Sequence, residues 1–223
     1  MNISGKFETP ISAQTLAALC ACCKTCADPH ALRADASIGS GPEWDLAARL
    51  GTRYATYIGT RAAANLLAFM ALTAPVLGER AIAPEDEVLV VAGHKPLALD
   101  LMTALGATPV FLDVPHPQSS IDEALLENAL SMQTKAVLLA HTADMTFDLR
   151  TVRNFCNKYD LWLIEDSLDA GGATYDFDGT VYYTGTVGDV GTVALKDGAA
   201  LLTNNDTLYA VVQVLRDSAS GAL

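Results

Sequence analysis

Ionisable residues stand at the ends of two apolar runs, where side chains could do chemistry at the edge of a core. Asp166 and Asp169 follow one run, and His141 closes another. A buried carboxylate at the end of an apolar strand needs a cationic partner, because burying an unpaired charge is costly. The alternative for Asp166 is the N-cap of a following helix. His141 either faces a ligand or is a packed, hydrogen-bonded residue.

A second candidate site is a cluster of cysteines near the N-terminus, formed by Cys20, Cys22, Cys23 and Cys26, with His30 just beyond. Thiolates at such short separations could bind zinc or an iron–sulfur cluster. The C-x-C-C-x-x-C spacing matches no standard ligand pattern, and no second cysteine pair follows it. The alternative is a helix of small residues in which reduced cysteines pack as small hydrophobic side chains.

Several other classes of site find no support in the sequence. It has no Walker A, G-x-G-x-x-G or G-x-S-x-G pattern, and its four histidines lack the HExxH spacing. The run DFDG at 176–179 is similar to a fragment of a calcium loop, but the remaining ligands are missing and a turn is the better interpretation.

The elements that must position these residues alternate along the chain. Near-continuous apolar strands that alternate with helices indicate a largely parallel sheet covered on both faces, a three-layer α/β/α fold. Ligands of such sheets bind beyond the carboxyl ends of the strands, here 59–60, 92–96, 141–142 and 166–169. Strands are predicted at 53–58, 86–92, 109–114, 135–141, 161–165, 190–195 and 199–203, and helices at 43–50, 61–72, 96–105, 121–131, 149–159 and 206–217.

The composition fits one sizeable α/β domain at 41–223, preceded at 1–40 by an arm rich in cysteine and alanine. The 223 residues are 51% hydrophobic and 18% charged, with a formal net charge of −12. An acidic surface repels phosphate backbones, so nucleic acid is not an expected partner. No stretch approaches the roughly 20 apolar residues of a membrane helix. We therefore expect no membrane partner and a cytoplasmic location.

Three sequence motifs stand at strand ends and follow one another along the chain: AVLLAH at 136–141, LWLIEDSLDA at 161–170 and GDVGTVAL at 188–195. Together they resemble the DegT/DnrJ/EryC1/StrS sugar aminotransferases. Shorter segments at 65–68, 77–78, 87–88, 109–113 and 158–162 resemble the CDP-4-keto-6-deoxyglucose 3-dehydrase branch of that family. The similarity runs from about residue 41 to residue 217 and covers the family's large domain.

The resemblance implies an aspartate-aminotransferase-type fold with a mostly parallel seven-stranded sheet, and pyridoxal or pyridoxamine phosphate as cofactor. In the family, the aspartate that matches Asp166 pairs with the nitrogen of the cofactor ring, which acts as an electron sink. Asp169 matches a position near the ring hydroxyl. Gly59 and Thr60 match a turn at a helix N-terminus, where N–H groups and the dipole attract the cofactor phosphate. Arg61 either adds charge to this turn or is a solvated helix residue.

The chain departs from the family pattern around this implied site. His94 and Lys95 stand where the family has an aromatic residue that stacks on the cofactor, and His94 is the candidate replacement. Ala194 replaces a serine that binds the phosphate. After Leu195, the family's loop with the Schiff-base lysine, or with the histidine of the dehydrase branch, is missing. Lys196 aligns with a later glycine-rich segment, so it is only a weak candidate for the catalytic position.

These departures, together with a small C-terminal domain expected to be absent after Leu223, predict a degenerate domain without aminotransferase activity. It would act as a binding or partner subunit in nucleotide-sugar or polysaccharide synthesis, as a homodimer or with an intact paralogue, and a nucleotide sugar is the implied ligand. The alternative is an active enzyme on a nucleotide keto-sugar. Proton transfer would then fall to His94, His141 or Lys196. A third hypothesis is a metal or redox module built on the N-terminal cysteines.

Overall fold

The computed structural model describes residues 41–92, 98–112, 121–143, 149–170, 172–177 and 179–220. The helices are α1 (Pro42–Leu50), α2 (Arg61–Leu72), α3 (Ala98–Ala104), α4 (Glu123–Ala129), α5 (Leu149–Tyr159) and α6 (Asp206–Ser220). The strands are β1 (Tyr54–Ile58), β2 (Glu87–Ala92), β3 (Thr108–Phe111), β4 (Thr134–Thr142), β5 (Trp162–Asp169), β6 (Thr174–Phe177), β7 (Thr180–Tyr183), β8 (Val190–Leu195) and β9 (Gly198–Thr203). A 3₁₀ segment (Pro75–Arg80) lies between α2 and β2. The arm predicted at 1–40 lies outside the described residues.

Within the described ranges, seven strands form one sheet in the order β1-β9-β8-β5-β4-β2-β3. The pairs β2–β3, β2–β4, β4–β5 and β5–β8 are parallel, and β9 runs antiparallel to both β1 and β8. Strands β4 and β5 lie at the centre, where both faces are covered, which explains their near-continuous apolar sequences. The predicted mostly parallel, seven-stranded sheet is confirmed.

Apolar layers cover both faces of this sheet, and alternation along the strands decides which side chain meets which layer. Leu138 of β4 packs in one buried cluster with Met70 of α2, and α3 and α6 belong to the same layer. Its neighbour Leu139 packs on the other face in a cluster with Phe155 of α5. Successive strand residues point to opposite faces, so the two helical layers sandwich the sheet. The predicted three-layer α/β/α fold is confirmed.

Strand β5 is longer than predicted. The strand expected at 161–165 runs over Trp162–Asp169, because β5 stays paired with β4 as far as the Thr142–Asp169 contact and with β8 as far as Ser167. Asp166 therefore lies inside a strand. The alternative that Asp166 caps a helix is wrong.

A separate hairpin, β6–β7, has no counterpart among the predicted elements. The DFDG run at 176–179 spans its turn, where the Gly179 N–H donates to the Asp176 carboxylate at 2.7 Å. Gly179 has a φ of 78°, which favours glycine. The interpretation of this run as a turn is confirmed. Among the helices of the described residues, none combines the length and the apolar character that crossing a membrane requires.

Candidate functional site

Five of the predicted site residues lie at one edge of the sheet. Gly59 and Thr60 follow β1, Asp166 and Asp169 lie in the last part of β5, and Lys196 follows β8. Strand β1 runs in the same direction as β8, because both are antiparallel to β9 between them. These residues therefore surround the carboxyl ends of parallel strands, where ligands of such sheets bind.

Asp166 is a buried carboxylate held by two N–H groups. Nδ2 of Asn65, on α2, donates to Oδ2 of Asp166 at 2.9 Å, and the backbone N–H of Leu168 donates to Oδ1 at 3.3 Å. The amide oxygen of Asn65 accepts from the Thr192 hydroxyl at 2.9 Å. Asp166 and Thr192 are register partners on β5 and β8. Asn65 thus spans both strands from the helix that covers them.

The electrostatic environment leaves Asp166 in need of a positive partner. Burial raises the pKa of Asp166 above its ordinary value. The hydrogen bonds from Leu168 and Asn65 lower that pKa, the charge of Asp169 raises it, and the charge of Arg61 lowers it, but burial prevails. A cation placed against this carboxylate would favour its ionised form. This is the condition expected of a carboxylate that receives a protonated ring nitrogen.

Asp169 is tied to the first turn of α2. It forms an ion pair with Arg61, and the same guanidinium nitrogen donates to the Leu168 carbonyl at 2.5 Å. The side chains of Arg61 and Asp169 are 38% and 57% exposed, so solvent screens the pair and its contribution to stability is small. Arg61 is not a simply solvated helix residue: it joins the end of β5 to the start of α2.

Thr60 caps helix α2. Its side-chain oxygen accepts the Ala63 N–H at 3.1 Å, and its backbone is extended, with φ −137° and ψ 155°. The 12-residue helix directs the positive end of its dipole toward the edge where Asp166 lies. Gly59 precedes the cap, and apart from its chain neighbours no atom of the described residues lies within 4 Å of where a Cβ would stand. The turn predicted to accept a phosphate therefore has a capped helix behind it.

His141 lies on the other face of the sheet. Its Nε2 is 3.1 Å from Oε2 of Glu165, and both side chains are fully buried. Glu165 and Asp166 are consecutive residues of β5, so their side chains point to opposite faces. The sheet therefore separates His141 from Asp166.

Glu165 anchors the loop that leads into β8. Its carboxylate accepts backbone N–H groups from Gly185 at 2.9 Å, from Val187 at 2.8 Å and from Gly188. Burial by itself raises the pKa of Glu165, but the hydrogen bond and charge of His141, with the N–H groups of Gly185 and Gly188, lower it by more. The net pKa lies below the ordinary value. Glu165 is thus a buried anion held by a ring of donors.

Lys196 lies in a two-residue turn. Leu195 of β8 pairs with Gly198 of β9, which leaves only Lys196 and Asp197 between the strands. Both turn residues are exposed, and so is Ala194. The predicted direct passage from β8 into the following segment is confirmed.

The tip of this β8–β9 hairpin lies against the end of β1. Gly198 has a φ of 140°, and a Cβ added there would stand 2.5 Å from the Ile58 carbonyl oxygen and 3.2 Å from that of Gly59. Lys196 therefore belongs to the same part of the sheet edge as the capped turn at Thr60. Its exposed position contrasts with the burial of Asp166.

The metal hypothesis stays a prediction. In the part of the chain that the structure describes, no group of three or more His, Cys, Asp or Glu residues could hold a metal ion. Cys156 is buried in α5, and burial raises the pKa of its thiol to about 12, so it packs as a small apolar side chain. The cysteine cluster at 20–26 and His94 lie outside the described residues.

Two side chains of the site were not predicted as such, Asn65 and Thr192. A signal for Asn65 was present, because it is the one polar residue among the nine buried positions of α2. A buried amide requires hydrogen-bond partners, which marks such a position in an apolar helix as worth explaining. Thr192 offered no such signal, since threonine is common in strands.

A family model matches almost the whole of this domain. The model for the DegT/DnrJ/EryC1/StrS aminotransferase family matches residues 42–222. The chain belongs to this family. The resemblance carried by the strand-end motifs is confirmed, and with it membership in a family that depends on pyridoxal phosphate.

Curated relatives of this DegT/DnrJ/EryC1/StrS protein include proteins of sugar and lipopolysaccharide biosynthesis. The chain is 42% identical over 162 residues to the lipopolysaccharide biosynthesis protein RfbH of Salmonella typhimurium, a match over 69% of this chain and 36% of the relative. It is 33% identical over 183 residues to the dTDP-4-dehydro-2,6-dideoxy-D-glucose 3-dehydratase of Saccharopolyspora spinosa, over 78% of this chain and 39% of the relative. The chain thus spans less than two fifths of the length of each.

Solved structures of related enzymes share the fold. DesV of S. venezuelae is 27% identical, with a TM-score of 0.63 over 92% of this chain and 53% of its own. GDP-4-keto-6-deoxymannose-3-dehydratase with a trapped PLP–glutamate geminal diamine has a TM-score of 0.65 at 23% identity, over 77% of this chain and 45% of its own. NtdA of Bacillus subtilis with bound PMP has a TM-score of 0.60 at 23% identity, over 91% of this chain and 45% of its own. At identities below 25%, the last two similarities show a shared fold and nothing more.

Proposed function

We propose that this chain binds pyridoxal or pyridoxamine phosphate without a covalent link, and acts as a binding or partner subunit in nucleotide-sugar or polysaccharide synthesis rather than as an aminotransferase. The observation that carries the proposal is the turn of Lys196 and Asp197. The family pattern places its catalytic lysine or histidine on a loop after this strand. The pairing of Leu195 with Gly198 leaves no residues for such a loop.

The remaining residues fit two parts of the cofactor. The carboxylate of Asp166, buried and held by Asn65, would hold the proton on the ring nitrogen. The N-terminus of α2 at Thr60 would attract the phosphate through the positive end of the helix dipole. When bound, the pyridine ring supplies an electron sink.

The positions of Lys196 and His141 argue against covalent or proton-transfer chemistry next to Asp166. A lysine that forms a covalent bond with a carbonyl carbon must approach it closely and is activated by desolvation. Lys196 is exposed in a hairpin turn. His141 is paired with Glu165 on the opposite face from Asp166. Both observations support a role in binding more than a role in transamination.

The proposed partner is a second copy of the chain or an intact paralogue, and the proposed location is the cytoplasm. Large apolar side chains are exposed on the outermost strand β3, at Phe111, and on the β6–β7 hairpin, at Val181 and Tyr183. A second chain would cover such side chains. The proposed ligand is a nucleotide keto-sugar, because the names of two relatives describe dTDP- and GDP-linked sugars of this type as their substrates.

A second candidate function is an active dehydratase that uses pyridoxamine phosphate. The identity of 33% to a sugar 3-dehydratase favours it. The dehydrase branch works without the lysine but has a histidine on the same loop, so the tight β8–β9 turn means that another residue would have to transfer the proton. Asp166 would serve the ring nitrogen here as well, and His94 would be the candidate for proton transfer.

The test is an absorbance titration of the full chain with pyridoxal phosphate and, separately, with pyridoxamine phosphate. We expect saturable binding that Asp166→Asn weakens about tenfold or more. The control is Asp160→Asn, an exposed aspartate at the end of α5 with a φ of 52° that asparagine also adopts, and it should bind as the unmodified chain does. Absence of binding at millimolar cofactor would contradict the proposal. Turnover of a nucleotide keto-sugar by the chain with pyridoxamine phosphate would favour the dehydratase.

A further inference from the structure

Thr192, Asn65 and Asp166 form a buried chain of hydrogen bonds. The Thr192 hydroxyl donates to Oδ1 of Asn65 at 2.9 Å, and Nδ2 of Asn65 donates to Oδ2 of Asp166 at 2.9 Å. Thr192 and Asn65 are each 2% exposed, and Asp166 is 7% exposed. These hydrogen bonds are therefore shielded from water, and they connect β8, α2 and β5.

We propose that Thr192 and Asn65 are positioning residues for Asp166: Thr192 fixes the amide of Asn65, and the fixed amide holds the Asp166 carboxylate ionised and oriented toward the cofactor ring. This inference rests on the function proposed above, because it requires Asp166 to meet the ring nitrogen. It concerns side chains that would not themselves touch the cofactor.

The donors and acceptors available determine which amide atom of Asn65 faces Asp166. An ionised carboxylate only accepts hydrogen bonds, so the amide nitrogen of Asn65 must face Asp166. The amide oxygen then points to the other side, where the hydroxyl of Thr192 donates to it. The carboxylate thus sets the orientation of the amide, and the Thr192 hydroxyl pairs with the amide oxygen in that orientation. Without this hydroxyl, the buried amide oxygen would lose the partner that holds the side chain in place.

The donor from Asn65 matters because burial works against the charge of Asp166. Burial raises the pKa of Asp166, and the neighbouring charge of Asp169 adds to this. The opposing influences are the N–H of Leu168, the amide of Asn65 and the charge of Arg61. Arg61 is already paired with Asp169 and partly exposed, so its effect is screened. The amide of Asn65 is the buried side-chain donor on this carboxylate among the described contacts.

The elements that carry the chain of hydrogen bonds are closely packed. Asn65 lies in a run of nine buried residues on α2, and Thr192 and Asp166 are register partners on neighbouring parallel strands. A group held by packed elements is pre-organised, so it does not have to reorient when a cation arrives. A merely structural role would also satisfy these buried groups, but it would not depend on the charge of Asp166.

The first measurement is the carboxyl titration of Asp166 by ¹³C NMR in the full chain without cofactor. Thr192→Val keeps the shape of the side chain and removes the hydroxyl. We expect it to move the midpoint of the Asp166 titration upward by roughly half to one pH unit. Thr192→Ser retains the hydroxyl and should restore the midpoint. A Thr192→Val chain that is less stable but titrates at the unchanged midpoint would overturn the positioning role.

The second measurement is the affinity for pyridoxamine phosphate. Thr192→Val should weaken binding about three- to tenfold and Thr192→Ser should not. Asn65→Leu should weaken binding at least as much. If Asn65→Leu does not fold, the comparison of Thr192→Val with Thr192→Ser still tests the positioning role. If the unmodified chain binds no cofactor, the proposed function fails while the NMR titration still tests the hydrogen-bonded chain. If Asp166→Asn weakens binding and Thr192→Val changes neither affinity nor titration, the positioning role alone is overturned.

Discussion

Leu195 and Gly198 face each other as the last pair of the β8–β9 hairpin, with only Lys196 and Asp197 between them. The family pattern has a catalytic loop at this point of the sheet edge. Its place is taken by a tight turn that lies against the end of β1. The proposed cofactor site depends on Asp166 and on the N-terminus of α2 rather than on a lysine.

Gly198→Ala should destabilise the hairpin. Gly198 has a φ of 140°, and a Cβ there would stand 2.5 Å from the Ile58 carbonyl oxygen. We expect a loss of about 1–3 kcal/mol in the free energy of unfolding, measured by urea denaturation. The control is Gly59→Ala, where a Cβ meets no atom of the described residues within 4 Å apart from its chain neighbours. Equal stability of the two variants would show that the hairpin does not lie against β1.

Thr60→Val should weaken the start of α2. The Thr60 side chain accepts the Ala63 N–H, and valine cannot. Loss of an N-cap hydrogen bond lowers the free energy of unfolding by about 1 kcal/mol. Thr60→Ser keeps the cap and serves as the control in the same urea denaturation. If the valine variant is as stable as the serine variant, the Thr60 side chain does not stabilise the start of α2.

Glu165→Gln should be strongly destabilising. The fully buried side chain of Glu165 accepts N–H groups from Gly185, Val187 and Gly188 and faces His141. A neutral amide has one acceptor oxygen instead of two, which leaves buried donors unpaired. We expect a loss of about 2–4 kcal/mol. The matched variant Glu127→Gln on α4 removes one charge of an exposed ion pair with Lys158, which solvent screens, and should unfold close to the midpoint of the unmodified chain. A small effect at Glu165 would contradict its role as the anchor of this loop.

The contribution of Glu165 to stability should depend on pH. Its folded-state pKa is lowered, so the contribution is fully present above the unfolded-state pKa of about 4.3. It is lost as the pH falls through the folded-state pKa. The stability difference between the unmodified chain and Glu165→Gln should therefore be largest near neutral pH and narrow below pH of about 4. Urea denaturation across this range measures it, and a difference that grows on acidification would contradict the assignment.

Asp166 should show the opposite pH dependence. Its folded-state pKa is raised by burial, so the folded chain retains this proton longer than the unfolded chain. Its contribution to stability therefore decreases as the pH rises from the unfolded-state pKa of about 3.9 to the raised folded-state pKa. Asp166→Asn removes this dependence, and its stability relative to the unmodified chain should improve as the pH rises through that window. A flat difference would mean that burial does not disfavour the charge of Asp166.

The sequence was sufficient to predict the sheet and the position of Asp166 near the carboxyl end of β5. The apolar runs of β4 and β5 predict strands covered on both faces, and the motif around Asp166 predicts a carboxylate near a strand end, although the strand continues to Asp169. The passage from Leu195 to Gly198 without a loop was visible as a gap in the family pattern. These features are local in sequence, so local patterns predict them.

What depends on contacts between distant segments was not predicted. A continuous apolar strand does not reveal which residues face which helix layer, so the separation of His141 from Asp166 appears only with the pairing of β4 and β5. The link from Asn65 to Thr192 joins positions 127 residues apart. The extension of β5 to Asp169 depends likewise on the neighbours that pair with it.

Borohydride reduction of the full chain with stoichiometric pyridoxal phosphate, followed by intact mass measurement and peptide mapping, tests most directly whether the cofactor is held without a lysine. Noncovalent binding predicts no adduct at Lys196, removal of the cofactor by dialysis, and the same affinity in Lys196→Ala as in the unmodified chain. An adduct that maps to Lys196 and disappears in Lys196→Ala would contradict it, because the turn after β8 would then carry the covalent anchor.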